Sequence, residues 1–225
     1  LITGANSGIG RGVAKAFAEC GAKVVINYPT PAELSSANQV AKEIGSAAIT
    51  VCADVSVEKE VTKMIDFVIG ELGHLDILVN NAGIARSAPI ENIPTNDWNE
   101  IFAIHVNGTF FCTRAVLRHM YQRNSGKIIN TASQLAYKGA PGFAHYTAAK
   151  GAILSFTRSL ALEIGERNIS ANCVAPGATM TPILDDVPED ILDDIKTGIP
   201  RGKLAAVDDI TGSYVFLASD AAEHV

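Results

Sequence analysis

Short apolar runs alternate with longer amphipathic stretches along this chain. The short runs are mostly β-branched and nearly continuous in apolar character, which is typical of strands buried on both faces of a sheet. They occupy residues 23–27, 48–53, 76–80, 127–132 and 170–175. Helical patterns fill the stretches between them, and three of these end at a glycine, the common left-handed helix stop. These three are residues 11–20, 31–44 and 57–72, which are followed by Gly21, Gly45 and Gly73.

This alternation predicts the fold class. Strand, helix and strand in repetition indicate a parallel sheet with helices on both faces, the doubly wound (Rossmann) α/β architecture. The chain has no internal repeat or linker, so we predict a single domain over residues 1–225. Only Leu1 and Ile2 precede the first glycine loop, and the chain stops in an alanine-rich stretch. We therefore expect both ends of the natural protein to be missing.

Composition narrows the possible functions. The hydrophobic fraction of 48% and the charged fraction of 19% are ordinary for a globular domain. A net charge of −6 argues against a nucleic-acid or anionic-membrane partner, and no apolar run reaches the ~18 residues of a membrane span. The cysteines have no paired spacing, which indicates reduced thiols in a cytoplasmic protein; they are Cys20, Cys52, Cys112 and Cys173. The histidines have no metal-ligand spacing, so we expect no metal site and structural or surface roles for them; they are His74, His105, His119, His145 and His224.

A glycine-rich loop, TGANSGIG, precedes the first helical pattern and contains Gly4, Gly8 and Gly10. Glycines let a backbone approach a pyrophosphate, and a helix N-terminus supplies free N–H groups and a positive dipole end. The spacing is G-x-x-x-G-x-G, not the common G-x-G-x-x-G, and no G-K-[ST] follows. Taken alone, the loop fits either a dinucleotide site or a structural turn.

Tyr146 and Lys150 lie four residues apart in the stretch HYTAAK. Because four residues make about one helical turn, we predict that the two side chains share a helix face. Ser133 directly follows the predicted strand 127–132. The pattern Y-x-x-x-K alone also fits a surface tyrosine beside a solvated lysine, so the other motifs must decide between these interpretations.

In this order and at these spacings, the motifs resemble those of the short-chain dehydrogenase/reductase family. The resemblance extends from Thr3 to about Val225, nearly the whole chain. It rests on TGANSGIG, the pair Asp54 and Val55, NNAG at residues 80–83, Asn107, Ser133, YTAAK at residues 146–150, and the pair Pro176 and Gly177.

The resemblance implies a catalytic set of Asn107, Ser133, Tyr146 and Lys150. Tyr146 would be the general acid or base, and Ser133 would hold the substrate oxygen. Lys150 would bind the nicotinamide ribose and, with the nicotinamide charge, lower the phenol pKa from its usual value of about 10. A lowering of ~3 units requires roughly 4 kcal/mol. Asn107, in a long helix starting near Asn96 and on its sheet side, would position a water that relays protons to Lys150.

The resemblance also implies the coenzyme site. Asp54 would accept a hydrogen bond from the adenine amino group, and Pro176, Gly177 and Thr179 would bracket the nicotinamide. Tyr28 stands where NAD-dependent relatives often carry Asp, and no acid occurs before Glu33, so we expect NADP in preference to NAD. The expected cofactor-binding residues are Gly4, Asn6, Ser7, Gly8, Ile9, Gly10, Tyr28, Asp54, Val55, Asn81, Ala82, Gly83, Tyr146, Lys150, Pro176, Gly177 and Thr179.

The expected function is hydride transfer between a nicotinamide and a small-molecule carbonyl or secondary alcohol. Two substrate classes compete, because some segments resemble 3-oxoacyl-(acyl-carrier-protein) reductases and others resemble sugar (glucose-type) dehydrogenases. We favour the 3-oxoacyl-thioester class, for which Lys127 and Arg167 offer basic groups toward a carrier protein. A non-catalytic dinucleotide sensor is the further alternative, although it would not need all four catalytic residues.

Two helical features bear on partners and substrate. A stripe of small residues follows Tyr146 at steps of four, three and four; it consists of Ala148, Ala152, Ser155 and Ser159. Such a stripe packs inside its own chain or against a second subunit, and the resemblance favours a homotetramer or homodimer. The segment after Pro176 and Gly177 is acidic, and we expect its acids on a solvated helix face; they are Asp185, Asp186, Glu189, Asp190, Asp193 and Asp194. If they faced the site, they would disfavour acidic substrates.

Overall fold

The computed structural model describes residues 1–185, 187 and 189–225. Its parallel strands are β1 (Val24–Tyr28), β2 (Ala48–Cys52), β3 (Ile77–Asn80), β4 (Gly126–Thr131) and β5 (Ile169–Val174). Strand β1 pairs with β2, and β4 lies between β3 and β5. Ile2 forms parallel bridges to both Ile26 and Val79, so the first residues of the chain join the two groups of strands into one sheet. The order is therefore β2, β1, residues 1–3, β3, β4, β5.

Helices cover both faces of this sheet. They are α1 (Gly8–Glu19), α2 (Leu34–Ile44), α3 (Glu58–Leu72), α4 (Thr95–Phe102), α5 (Gly108–Arg123), α6 (Leu135–Lys138), α7 (Ala144–Ile164), α8 (Glu189–Thr197) and α9 (Asp208–Ala218). One apolar core lies under α3, α5 and α7, and a second lies under α1, α2 and α9. Neighbouring strand residues serve opposite cores, since Leu78 belongs to the first and Val79 to the second. The predicted doubly wound architecture is confirmed.

The predicted strands agree with the observed ones to within one residue at each end, because buried parallel strands are marked by continuous apolar runs. Three helices differ from the prediction, and one of them, expected over residues 31–44, begins at Leu34 after a short 3-10 helix at Pro31–Glu33. Helix α1 begins at Gly8, three residues earlier than expected, so Gly8 and Gly10 lie within its first turn. The long helix expected from about Asn96 is interrupted between α4 and α5 by one turn of π-helix at Ala103–Asn107. A π-turn inserts an extra residue into a helix and often occurs at functional sites.

No helix in the described part of the chain is both long and apolar enough to cross a membrane.

Candidate active site

The glycine loop joins the strand formed by residues 1–3 to α1, and its glycines are required for different reasons. Gly4 and Gly8 have φ angles of +60° and +53°, which disfavour any side chain. A Cβ on Gly10 would lie 2.5 Å from the Gly4 carbonyl oxygen, so the loop could not fold back on α1. Ser7 precedes α1 without a side-chain capping bond. The helix N-terminus is thus arranged to bind an anionic group such as a pyrophosphate.

The turn Asn81–Gly83 is fastened to this loop. The Thr3 hydroxyl oxygen accepts hydrogen bonds from the backbone N–H groups of Asn81 and Ala82 at 2.9 and 3.0 Å. The Asn81 side-chain amide donates in return to the Thr3 carbonyl at 3.0 Å. A Cβ on Gly4 would lie 2.9 Å from the Ala82 Cα. These contacts bring the loop and the turn together at the carboxyl edge of the sheet, where ligands bind in this fold.

The adenosine side of the expected coenzyme site is formed after β1 and β2. The side chain of Asn6 donates to the Ser36 hydroxyl at 3.2 Å. Asp54 is half-buried, and its carboxylate accepts from the Ser56 N–H at 2.8 Å. Val55 is buried beneath the start of α5, where a Cβ on Gly108 would lie 2.8 Å from its Cγ2. Asp54 can therefore face a ligand, whereas Val55 contributes its backbone.

Tyr28 does not present its side chain to this site. It is only 7% exposed, and it packs with Ala37 and Val40 in the core beneath α2. Burial raises the pKa of the Tyr28 hydroxyl, and the neighbouring Cys52 thiol acts in the same direction. The position at the end of β1 therefore offers a backbone group and no side chain to a coenzyme.

Ser133, Tyr146 and Lys150 come together beyond the end of β4. Ser133 is buried, and its hydroxyl oxygen accepts from the Leu135 N–H at 3.1 Å, which leaves the hydroxyl proton for another acceptor. Tyr146 lies in the first turn of α7, as predicted. The ammonium of Lys150 donates to the Thr131 carbonyl at 2.7 Å and lies 5.7 Å from the centre of the Tyr146 ring. The shared helix face predicted from their spacing is confirmed.

Burial dominates the electrostatics of this cluster in the chain without coenzyme. Burial raises the pKa of the Tyr146 phenol, and the nearby Ser133 hydroxyl only partly opposes this effect. Burial also lowers the pKa of Lys150 to about 8. The expected lowering of the phenol pKa needs the Lys150 charge together with that of the nicotinamide, so it stays a prediction for the coenzyme-bound chain.

Asn107 is exposed, and the expectation that it faces the sheet is wrong. The buried stripe through α4, the π-turn and α5 passes through other positions, at steps of four or three. It consists of Ile101, His105, Thr109, Cys112, Val116 and Met120. The polar residue that enters the site from this helix is His105, whose ring lies edge-on to the Tyr146 ring at 5.5 Å between centroids. The spacing of the stripe could have identified it.

The segment after β5 forms the side of the candidate site between Ser133 and the glycine loop. The Gln134 N–H donates to the Pro176 carbonyl at 2.9 Å, which holds this segment beside Ser133. Gly177 is exposed, and its carbonyl accepts from the Thr179 hydroxyl at 3.0 Å. Thr179 is buried, so its hydroxyl serves its own turn. The segment then passes the glycine loop, because a Cβ on Gly8 would lie 3.5 Å from the Thr181 side chain.

The acidic and basic residues singled out in the sequence lie on the exposed segment after β5 and at the amino ends of β4 and β5. The acids of the segment after β5 are exposed, as expected, at Asp185, Glu189, Asp190, Asp193 and Asp194, while Asp186 lies outside the described residues. Lys127 and Arg167 lie at the amino ends of β4 and β5, the edge opposite Ser133 and Tyr146. Lys127 donates to the Ser219 carbonyl at 3.0 Å, and Arg167 stacks on Tyr121. A contact of these two residues with a carrier protein stays a prediction, and it would form at this opposite edge.

The histidines, cysteines, aspartates and glutamates of the described residues form no group of three that could hold a metal ion.

Comparisons with known proteins agree with this geometry. A family model described as enoyl-(acyl carrier protein) reductase matches residues 4–225. The chain is 38% identical to the BbsD subunit of (2S)-[(R)-hydroxy(phenyl)methyl]succinyl-CoA dehydrogenase from Thauera aromatica, over 98% of this chain and 88% of the relative.

Two solved structures are similar over the whole chain. A 3-ketoacyl-(acyl-carrier-protein) reductase from Brucella melitensis, complexed with NADH, is 35% identical with a TM-score of 0.93 over 91% of its length. A gluconate 5-dehydrogenase from Burkholderia cenocepacia, in complex with NADP and tartrate, is 34% identical with a TM-score of 0.94 over 89% of its length. With the glycine loop, the braced turn and the Ser133–Tyr146–Lys150 cluster, these matches establish that the chain belongs to the short-chain dehydrogenase/reductase family of NAD(P)-dependent oxidoreductases.

Proposed function

We propose that this chain reduces the 3-oxo group of acyl thioesters, with Tyr146, Ser133 and Lys150 as its catalytic residues. The observation that carries the proposal is the convergence of these three side chains beyond β4. Tyr146 donates its proton to the carbonyl oxygen, and the Ser133 hydroxyl donates a hydrogen bond to the same atom. A bound nicotinamide would supply the hydride.

Lys150 has two tasks in this proposal. Its ammonium has three N–H donors, and within the described residues only the Thr131 carbonyl engages one of them. The remaining donors suit the hydroxyls of a nicotinamide ribose. Its positive charge also favours the phenolate form of Tyr146, although burial of the phenol outweighs this influence in the chain alone. The positive charge of an oxidised nicotinamide would add to that of Lys150.

An apolar rim supports an acyl substrate in preference to a polyol. Large apolar side chains stand exposed on the segment after β5, at Met180, Ile183 and Ile191. The same segment passes the glycine loop at Gly8. An acyl chain would cover such side chains and gain free energy from their burial, whereas a sugar acid would require charged or polar partners there. Two of the relatives named above act on acyl thioesters by their names, and one acts on gluconate.

NADP is the proposed preferred coenzyme. The sequence after β1 places no acid before Glu33, and the Thr30 hydroxyl holds the Glu33 carboxylate. The Asn6 amide donates to the Ser36 hydroxyl at 3.2 Å and has a second N–H for a 2′-phosphate, while the Ser36 hydroxyl donates to the Glu33 carbonyl at 2.8 Å. Arg11 does not take part, because its guanidinium binds the Glu43 carboxylate at 2.8 Å. The neutral Asn6 amide thus replaces the arginine common in NADP sites.

The test is a turnover panel that follows the loss of reduced-coenzyme absorbance with NADPH and NADH separately. The substrates are an acetoacetyl thioester, a cyclic ketone and a keto-sugar acid, and Tyr146→Phe is the control. Turnover of the thioester with NADPH, abolished in the Phe variant, is the expected result. Turnover of the sugar acid alone would establish the alternative substrate class. Coenzyme binding without any turnover would favour the sensor.

The proposed assembly is a homotetramer or homodimer of single-domain subunits built on α7. Ala148, Ser155 and Ser159 are exposed and Ala152 is half-buried, so their stripe does not pack inside its own chain. Leu162 continues the stripe and is 88% exposed. A leucine so exposed in line with small residues suits contact with a second subunit. All four cysteines are free thiols, which supports the proposed cytoplasmic location.

A further inference from the structure

Gln134 directly follows Ser133, between the end of β4 and α6, and its backbone is held on both sides. Its N–H donates to the Pro176 carbonyl at 2.9 Å, and its own carbonyl accepts from the Tyr137 N–H at 3.1 Å. These bonds fix the residue beside Ser133 and beside the segment after β5. Neither bond uses the side chain, so the position of Gln134 does not depend on its amide.

The side-chain amide of Gln134 lies half-buried against Gly177. A Cβ on Gly177 would lie 3.7 Å from the amide oxygen and 4.0 Å from the amide nitrogen. Gly177 is exposed and has no side chain that could cover the amide. In the part of the chain that the structure describes, no hydrogen bond engages this amide. Its two N–H donors and its acceptor oxygen are thus available to a ligand at the site.

The charges around the site indicate which kind of ligand group suits this amide. Arg86, which follows the turn Asn81–Gly83, binds the carboxylates of Asp97 and Glu100. The buried Lys150 ammonium donates to a backbone carbonyl. A carboxylate ligand usually pairs with a free arginine or lysine, whereas a neutral amide donor suits an uncharged carbonyl or hydroxyl oxygen.

We propose that Gln134 is a specificity-determining residue that binds the second oxygen of a 1,3-dicarbonyl substrate. The inference rests on the proposed reduction of 3-oxoacyl thioesters. In such a substrate a single methylene separates the 3-oxo carbon from the thioester carbonyl carbon. Adjacent residues have Cα atoms about 3.8 Å apart, so Ser133 can donate to the 3-oxo oxygen while Gln134 donates to the thioester oxygen. The amide thereby selects a 3-oxoacyl group over an isolated ketone.

The thioester carbonyl is not reduced, so its bond to Gln134 is the same before and during hydride transfer. An interaction that is equal in the ground state and the transition state lowers KM and leaves kcat unchanged. The predicted effect of losing the amide is therefore a rise in KM for substrates that carry the second oxygen. A residue that only supports the fold would change kcat and KM for every substrate.

Two variants separate hydrogen bonding from shape. Gln134→Leu removes the polar atoms, and Gln134→Glu keeps the shape but replaces the N–H donors by a carboxylate that only accepts. We expect both to raise KM for an acetoacetyl thioester about tenfold, with kcat within about twofold of the wild type. KM for a 2-alkanone of matched length, which has one oxygen, should stay within about twofold. Gln122→Leu, an exposed change on α5, is the matched control and should behave as wild type.

A second measurement needs no turnover. Tyr146→Phe with bound NADPH gives an unreactive complex, and binding of the acetoacetyl thioester is followed by the change in NADPH fluorescence. Adding Gln134→Leu or Gln134→Glu should raise the Kd of the thioester about tenfold. If the wild type turns over no substrate, the proposed function fails, while this measurement still decides the role of Gln134.

Three results would overturn the inference. They are an unchanged thioester Kd without the Gln134 amide, a wild-type KM in Gln134→Glu, and an equal rise in KM for the 2-alkanone. Weaker binding of NADPH alone to Gln134→Leu would also overturn it, because the amide would then bind the coenzyme and not the substrate.

Discussion

The Lys150 ammonium donates its hydrogen bond to the Thr131 carbonyl, 2.7 Å away, and not to the Tyr146 phenol one helical turn earlier. The lysine is thus held at the end of β4, and its charge is buried behind the tyrosine ring. This arrangement costs stability, since burial lowers the pKa of Lys150 to about 8 from its usual 10.5.

Lys150→Met is expected to abolish turnover and to raise the free energy of unfolding by about 1–3 kcal/mol at pH 7. The native wild type carries a buried charge below pH 8, whereas the unfolded chain holds its proton more tightly. Wild-type stability therefore rises relative to the variant from pH 8 to about 10.5, where the difference disappears. Urea unfolding of both proteins across this range measures the effect. A variant less stable than the wild type at pH 7 would contradict it.

Asn130→Ala is expected to destabilise the fold by about 2–3 kcal/mol. The Asn130 side chain accepts from Asn80 at 2.8 Å and donates to the Thr157 hydroxyl at 2.9 Å, so it links two strands to α7 inside the core. Its removal takes away one hydrogen-bond acceptor from the buried side-chain amide of Asn80. Chemical denaturation gives the value.

Asn172→Ala is the control for that measurement. Asn172 lies on the neighbouring strand, and its side chain donates to the exposed Val225 carbonyl. Because this bond is exposed to water, its loss should cost about 0.5 kcal/mol or less. Equal losses of unfolding free energy in the two variants would show that burial of the Asn130 hydrogen bonds adds nothing to stability.

Gly10→Ala is expected to weaken coenzyme binding by more than about tenfold. The added methyl group would meet the Gly4 carbonyl oxygen at 2.5 Å, and backbone atoms cannot move aside as a flexible side chain can. Titration of reduced-coenzyme fluorescence measures the affinity. Gly70→Ala, in open space on α3, should bind coenzyme normally and gain about 0.5–1 kcal/mol of stability. Normal coenzyme binding by Gly10→Ala would mean that binding does not require the close approach of the Gly4 carbonyl to Gly10.

Leu162→Lys is expected to reduce the mass of the particle in solution. The side chain stands 88% exposed at the end of the small-residue stripe, and a lysine pair across a subunit contact would repel. Light scattering after size exclusion reports the mass directly. Lys42→Ala, a surface change on α2, provides the comparison. An unchanged mass in Leu162→Lys would remove α7 from the proposed interface.

The sequence predicted best those features that follow directly from burial or from helical spacing. The apolar runs predicted β1 to β5, because strands covered on both faces must be apolar throughout, whereas residues 1–3 were too short a run to be recognised as a strand. The spacing of Tyr146 and Lys150 placed them on one helix face. Asn107 was selected by its residue type within a motif, whereas the stripe that contains His105 follows from helical periodicity alone. The π-turn between α4 and α5 has no signal in the sequence, because tertiary contacts determine where a helix takes up an extra residue.

Two further differences arise from the direction of strands and side chains. Lys127 and Arg167 precede or begin their strands, and parallel strands place such residues at the edge away from the ligand. The sequence identified both as basic groups but did not show at which edge of the sheet they lie. Tyr28 ends β1 at the correct edge, but the alternation of side chains turns its ring into the core beneath α2.

The bonds from Thr3 to Asn81 and Ala82 have a practical consequence for anyone who wishes to redesign this enzyme. The Thr3 hydroxyl thus joins the glycine loop, which would bind the coenzyme, to the turn Asn81–Gly83, which lies against His105. A substitution that reshapes the loop to change coenzyme preference would therefore also move this turn and the His105 ring that contacts Tyr146. Coenzyme switching in this scaffold should begin at Asn6 and Ser36, which lie across the loop from that fastening, and should leave Thr3 untouched.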